Sequence, residues 1–309
     1  MEGNHNNFSE GNAAKSARRQ GMLAALATYL IWGVLPLYWN LLARASANEI
    51  LAHRIVWSFL FMLVVLVLTK RWQRFKEDCR GLWQNKRRGA ILLAAAFIIS
   101  INWLTYIWAV NHDHVIDTSI GYYINPLMSV LFGIIFFRER IGGLKKLCIL
   151  LAAVGIFLMT YQLGSLPWVS VVLAVSFSVY GALKKQLQLN PFSSITLETL
   201  LMLPFALPYI TGLMMSPENH FSTGTPDLAV FLMGTGVVTA VPLVLFSYGA
   251  NLLPLNVLGF FQYISPTIGL LLGIFFFHEE FGLAQVSALG FIWVALGLFT
   301  VAESLQRKG

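Results

Sequence analysis

The sequence predicts an all-α integral membrane protein of ten transmembrane helices, arranged as two inverted five-helix repeats. Three observations predict it: apolar residues gathered in blocks of about twenty, a one-sided distribution of Lys and Arg, and a self-similarity at an offset of 140 residues. Of the 309 residues, 57% are apolar and 11% charged, whereas a soluble domain carries about a quarter charged residues. That leaves too little polar surface for water, so the lipid bilayer is the expected surrounding. A net charge of +7 would suit a polyanion, but the basic residues sit in short gaps between apolar blocks, where anionic headgroups would meet them. Nucleic acid is therefore excluded as a partner.

The apolar blocks run over about 21–42, 50–69, 89–111, 117–137, 145–162, 167–183, 194–215, 227–249, 255–277 and 285–303. Each suffices, at about 1.5 Å per residue, to cross about 30 Å of hydrocarbon. The first 20 residues are polar, end in Lys15, Arg18 and Arg19, and read as a mobile tail. The first apolar block is too long for a secretory signal and lacks a small-residue cleavage site, so it is expected to be retained.

Orientation comes from the basic residues. With a cytoplasmic N-terminus and a crossing at each block, all but Arg44 and Arg54 of the 21 Lys and Arg fall on the cytoplasmic side. They lie in the tail, in 70–88, in 138–146, at Lys184–Lys185 and at Arg307–Lys308. This is the positive-inside pattern, and it places both termini in the cytoplasm. Cys79 and Cys148 then lie at or near the reducing side, where a disulfide is not expected.

The repeat aligns GYYINPLMSVLFGIIFFRERIG (121–142) with FQYISPTIGLLLGIFFFHEEFG (261–282). Tyr123/Tyr263, Pro126/Pro266, Gly133/Gly273, Glu139/Glu279 and Gly142/Gly282 are identical, and Asn111 matches Asn251 upstream without a gap. The fourth block therefore pairs with the ninth and the third with the eighth. A unit of five helices is odd, so the second copy inserts upside down. The basic loop after the fourth block (Arg138, Arg140, Lys145, Lys146) accordingly becomes His278, Glu279, Glu280 in its mate. The division is a cytoplasmic polar tail (1–20), a first repeat (21–162), a second inverted repeat (163–303) and a cytoplasmic tail (304–309). Inverted repeats suit alternating access, because two similar halves can exchange conformations about a central site.

The stretch NWLTYIWAVNHDHVIDTSIGYYINPLMSVLFGIIFFRER (102–140), with IWGVLPLYW (31–39) and HRIVWS (53–58), resembles the bacterial RarD family within the EamA family of the drug/metabolite transporter superfamily. The resemblance runs from Gly21 to Glu303. It implies a bacterial inner-membrane permease of ten helices in two inverted repeats. RarD proteins are labelled chloramphenicol-sensitivity proteins, yet the resemblance fixes no physiological substrate. Wider relatives export amino acids and metabolites, or move nucleotide sugars and lipid-linked sugars.

Polar groups inside a bilayer are costly and mark candidate sites. Arg54, with Trp57 beside it, is a contact for an anionic substrate group or a gate; the alternative is an arginine snorkelling to the outer headgroups. Asn102, Trp103 and Tyr106 lie deep in the third block, Asn102 and Tyr106 sharing a helix face. Tyr122, Tyr123 and Asn125 precede Pro126, as Gln262, Tyr263 and Ser265 precede Pro266. Asn125, Gln262 and Tyr263 are therefore candidate substrate contacts, and the two prolines candidate hinges or static kinks. Tyr and Trp at helix ends also build interfacial belts, which suits Trp108 and Asn111. Glu198 is a candidate proton-coupling carboxyl, or else a structurally paired acid. Gly269 and Gly273, with Ser129 and Gly133 as counterpart, suit close helix packing, or a homodimer face.

His112, Asp113, His114 and Asp117 have mixed spacing and read as solvated loop residues, so no metal is expected. No GxxxxGK[ST] motif occurs, so neither ATP nor another cofactor is called for. No catalytic cluster stands out, which disfavours an integral-membrane enzyme. The expected function is secondary-active transport of a small metabolite or drug, with a flippase for a lipid-linked sugar as the alternative.

Overall fold

The protein is described by a computed structural model that covers residues 3–111, 115–162, 168–216, 220–221, 226–276, 290–295, 297–299 and 301–302. The described chain is helical, with no strand among the described residues. In order the helices are α1 (Gly3–Asn40), α2 (Ala47–Leu68), α3 (Trp72–Gln84), α4 (Lys86–Asn111), α5 (Val115–Phe137) and α6 (Gly143–Gln162). They continue as α7 (Trp168–Leu187), α8 (Pro191–Met214), α9 (Pro226–Leu252), α10 (Leu255–Phe261) and α11 (Ile264–Phe275). A further apolar helical stretch covers Gly290–Phe299. Six helical segments are long and apolar enough to cross a membrane, in α1, α2, α4, α7, α8 and α9, and shorter apolar helices accompany them.

Helix α2 shows why lipid suits this bundle. Ser46 caps its start, accepting from the Glu49 backbone N–H at 3.2 Å, and so satisfies one of the donors that a helix N-terminus leaves over. Leu60, Val64 and Val67, spaced along one stripe, are exposed, while Ser58, Met62 and Leu66 on another stripe are buried. An apolar stripe facing out and polar groups facing in is the arrangement a hydrocarbon solvent requires. Exposed Phe157 and Phe205 extend the same surface to α6 and α8.

The packing interleaves the two halves of the chain. Helix α1 lies along α9 and α11, α2 along α8 and α9, α4 along α7, and α5 along α7 and α10. The closest approach between α2 and α9 is made possible by a glycine. A Cβ on Gly236 of α9 would overlap the backbone of Trp57 in α2, so glycine lets these two helices touch through their main chains. Ser58 then donates to the Gly236 carbonyl at 3.2 Å.

Four local features differ from the sequence expectation. Helix α1 already begins at Gly3, within the stretch read as a mobile tail. The basic segment 70–88 contains a helix, α3, with Trp72 stacked on Phe75 at 5.3 Å between centroids. The ninth apolar block is broken into α10 and α11, because Pro266 has no N–H to donate and its ring crowds the Gln262 carbonyl one turn back. Pro126, by contrast, sits in an uninterrupted α5, so the two repeat-related prolines do not produce matching breaks. Finally, a Cβ on Gly269 would meet nothing within 4 Å, whereas one on Gly133 would meet Glu139 and Leu255. Close packing thus occurs at Gly133 and not, among the described residues, at Gly269.

Candidate functional site

The site is built around Arg54. The short α2–α9 distance at Gly236 brings Thr239, one turn further along α9, within reach of Arg54, whose Nε donates to Thr239 Oγ1 at 3.0 Å. Two indoles lie against the guanidinium: Trp39 from the end of α1, 4.9 Å from ring centroid to Cζ, and Trp103 from α4, at 4.7 Å. Such contacts favour a cation over an aromatic face. Tyr106 of α4 and Tyr122 of α5 lie 5.8 Å apart between ring centroids, with their phenols in electrostatic range of Arg54. Five helices therefore converge on one half-buried cation.

That cation has no counter-ion among the described residues. The terminal nitrogens of Arg54 make no hydrogen bond to a described residue and are not sealed from solvent. The arrangement can therefore receive an anionic or strongly accepting group, with ring surfaces on either hand for an apolar body.

Of the residues singled out from sequence, the structure brings Arg54, Trp103 and Tyr106 together. Trp57 turns elsewhere: its Nε1–H donates to His53 Nδ1 at 3.1 Å, and its ring lies 6.0 Å from that of Phe221. Asn102 and Asn125 are buried against α7. Asn102 Nδ2 donates to the Leu173 carbonyl at 3.0 Å and to Ser176 Oγ at 2.8 Å. The Asn125 amide, oriented by its hydrogen bonds, donates to the Leu173 and Ala174 carbonyls at 3.2 and 3.1 Å. Both amides join helices.

Gln262 and Tyr263 occupy the break between α10 and α11. Gln262 Nε2 donates to Ser129 Oγ of α5 at 2.9 Å. Its Oε1, the Tyr263 hydroxyl and the Tyr29 hydroxyl are buried with no well-formed hydrogen bond among the described residues. Tyr123 donates to the Pro266 carbonyl at 3.4 Å. The break is thus a second polar locus, held to α5 from both sides.

Glu198 is fully partnered. Its carboxylate accepts from Lys184 Nζ at 2.6 Å, Ser194 Oγ at 2.8 Å and the Tyr180 hydroxyl at 2.9 Å. Lys184 and Lys185 lie in the last turn of α7 and turn their side chains inward. Lys184 is 3% exposed, and Lys185 pairs with Glu139 at 3.1 Å. Glu139 also accepts the backbone N–H groups of Leu255 and Asn256 at 2.7 and 2.9 Å, where α10 needs an acceptor. Residues 112–114 and the side chain of Asp117 lie outside the described residues, as do Glu279 and Glu280.

Sequence reasoning missed Thr239, Trp39 and Lys184. Thr239 is one of two threonines in an apolar run, and the other, Thr235, bonds its own helix. Trp39 ends its helix, where a tryptophan resembles an interfacial anchor.

Apolar faces outward, polar groups inward and six helices long enough to cross a bilayer make this a multi-pass membrane protein. The chain belongs to the EamA-like transporter family, whose pattern matches residues 19–161 and again 166–301. It is 43% identical to the uncharacterized transporter YojE of Bacillus subtilis, over 94% of this chain and 96% of that one. It is 39% identical to protein RarD of Escherichia coli, over 94% of this chain and 97% of that one. A solved crystal structure at 15% identity covers 93% of this chain and 97% of its own with a TM-score of 0.65, so the fold is shared as well.

Proposed function

We propose that this protein is a bacterial inner-membrane secondary-active transporter that moves a small metabolite or drug by alternating access, with the Arg54 cluster as its substrate site. The observation that carries the reading is an uncompensated, accessible guanidinium where five helices from both halves of the chain meet. A purely structural arginine in such a place would be paired, as Lys184 is.

Ten spans result if α3 lies at the interface, α10 and α11 form one broken span, and Gly290–Phe299 belongs to the last. Support for two inverted repeats comes from the packing as well as the 140-residue offset. With the spans numbered in order, exchanging each span with the one five places on converts the α1–α9 contact into α4–α7, and α5–α7 into α1–α11. It leaves the α2–α8 and α5–α10 contacts in place. A two-fold relation does this, and a family pattern that matches twice agrees with it. The basic residues at 70–88 and 138–146 favour cytoplasmic termini. A homodimer would draw on the Gly269 face, which is open among the described residues.

Glu198 keeps two readings. Its pairing with Lys184 favours a structural role in this conformation; proton coupling requires that pair to open during the cycle. The test is exchange of solute between loaded proteoliposomes and medium. Wild-type protein is expected to exchange at least one solute, and Arg54→Gln to lose that exchange while remaining folded. Retention of full exchange in Arg54→Gln would sink the site, and absence of exchange across a broad solute panel would sink the transporter mechanism.

A further inference from the structure

We propose that the ligand group held by Arg54 is the carboxylate of a flat, singly charged organic acid that lacks an ammonium group. The inference rests on the transporter reading and names its substrate class.

The guanidinium uses one donor, Nε, on Thr239. Four more N–H groups on the two terminal nitrogens find no acceptor among the described residues. This fork matches a carboxylate through two parallel hydrogen bonds. The Thr239 bond and the Trp39 and Trp103 rings fix the plane of the fork, so the geometry is set before the ligand arrives and less ordering is required on binding.

Charge selects further. Arg44, Lys184 and Lys185 each pair with a carboxylate, while Arg54 has none among the described residues. A partly desolvated cation without a counter-ion gains most from a ligand that brings one. One cation balances one negative charge, and a dianion would carry a second into the bundle uncompensated. An α-amino acid would bring an ammonium with no described acid to receive it, next to a like charge. The remaining walls, Trp39, Trp103 and the Tyr106–Tyr122 pair, are ring surfaces, which suit a planar apolar body.

The experiment is a thermal-shift series on the full chain in nanodiscs. Phenylacetate and indole-3-acetate are compared with their neutral amides, with phenylalanine and with the dianion phenylmalonate. Either acid is expected to raise Tm in a concentration-dependent way, and the amides, phenylalanine and phenylmalonate to fall well behind. Arg54→Gln is expected to weaken acid binding by about ten- to a hundred-fold, the range of a charged hydrogen-bonded contact. Arg54→Lys, which keeps the charge but loses the fork, is expected to fall between. The series on wild-type protein needs no variant, and Thr239→Val offers a second variant if Arg54→Gln does not fold.

Equal shifts from acid and amide, equal shifts from acid and phenylalanine, no shift from either acid, or acid binding unchanged in Arg54→Gln would each overturn the proposal. Proteoliposome exchange separates substrate class from transport. Exchange of an amide but not its acid overturns the substrate class and keeps the transporter. Acid binding without exchange of any solute keeps the anion site and overturns the transport reading.

Discussion

Two of the cations inside this bundle, Lys184 and Arg54, are treated in opposite ways. Lys184 of α7 is closed in with Glu198, Ser194 and Tyr180. Arg54 of α2 receives a hydroxyl and aromatic faces but, among the described residues, no carboxylate. A buried charge with a full set of partners ties helices together and has nothing left to offer. A charge with directed donors and no counter-ion is left in readiness for one. Under the proposed function the difference separates a strut from a site, although both residues are basic and both lie within apolar helices.

The largest expected effect comes from opening the strut. Glu198→Gln leaves Lys184 buried and unpaired, which should cost about 3–5 kcal/mol. The protein should unfold at a much lower temperature in detergent, and Lys184→Met combined with Glu198→Leu should recover most of the loss. Should the single and double variants melt alike, the pair is not what holds α7 to α8.

Gly236→Ala comes next. Its methyl group would overlap the Trp57 backbone, so α2 and α9 must separate at a cost of about 1–3 kcal/mol. Separation should also lengthen the Arg54–Thr239 contact, so ligand affinity and melting temperature should fall together. A variant that melts lower with ligand binding intact would uncouple the glycine from the site.

A smaller change is expected for Asn102→Leu. It removes two hydrogen bonds to α7, each worth about 0.6 kcal/mol in a membrane interior. The melt should shift modestly and solute exchange should persist. Loss of exchange without loss of stability would return Asn102 to the substrate contacts.

The smallest stability effect is expected at Arg54 itself. Arg54→Gln loses two aromatic contacts and one hydrogen bond, but it also removes a partly desolvated charge without a counter-ion. The net change should be about 1 kcal/mol or less, with transport abolished. If its melt fell as far as that of Glu198→Gln, Arg54 would be a strut too, and the contrast would fail.

Arg54 was legible in the sequence because it is the basic residue that no loop could accommodate. Trp103 and Tyr106 were legible because polar aromatics at mid-block have few structural excuses. Lys184 was not: a lysine at the end of an apolar block looks like a headgroup contact until α8 places Ser194 and Glu198 against it. Asn102 and Asn125 were less legible for the related reason that an amide in a membrane helix bonds equally well to a ligand or to a neighbouring carbonyl, and here both bond to α7. The repeat also promised matching kinks at Pro126 and Pro266, yet only the second breaks its helix.

By itself the sequence determined the solvent, the helical class and the family, because these depend on composition, block length and motif, which survive without coordinates. Only the tertiary structure decided which buried polar groups satisfy one another and which remain open. That outcome depends on distances between helices far apart in the chain: α2 meets α9 through a bare glycine, and α7 meets α8 through an ion pair. The sequence supplied a guanidinium; the packing left it, among the described residues, without a counter-ion.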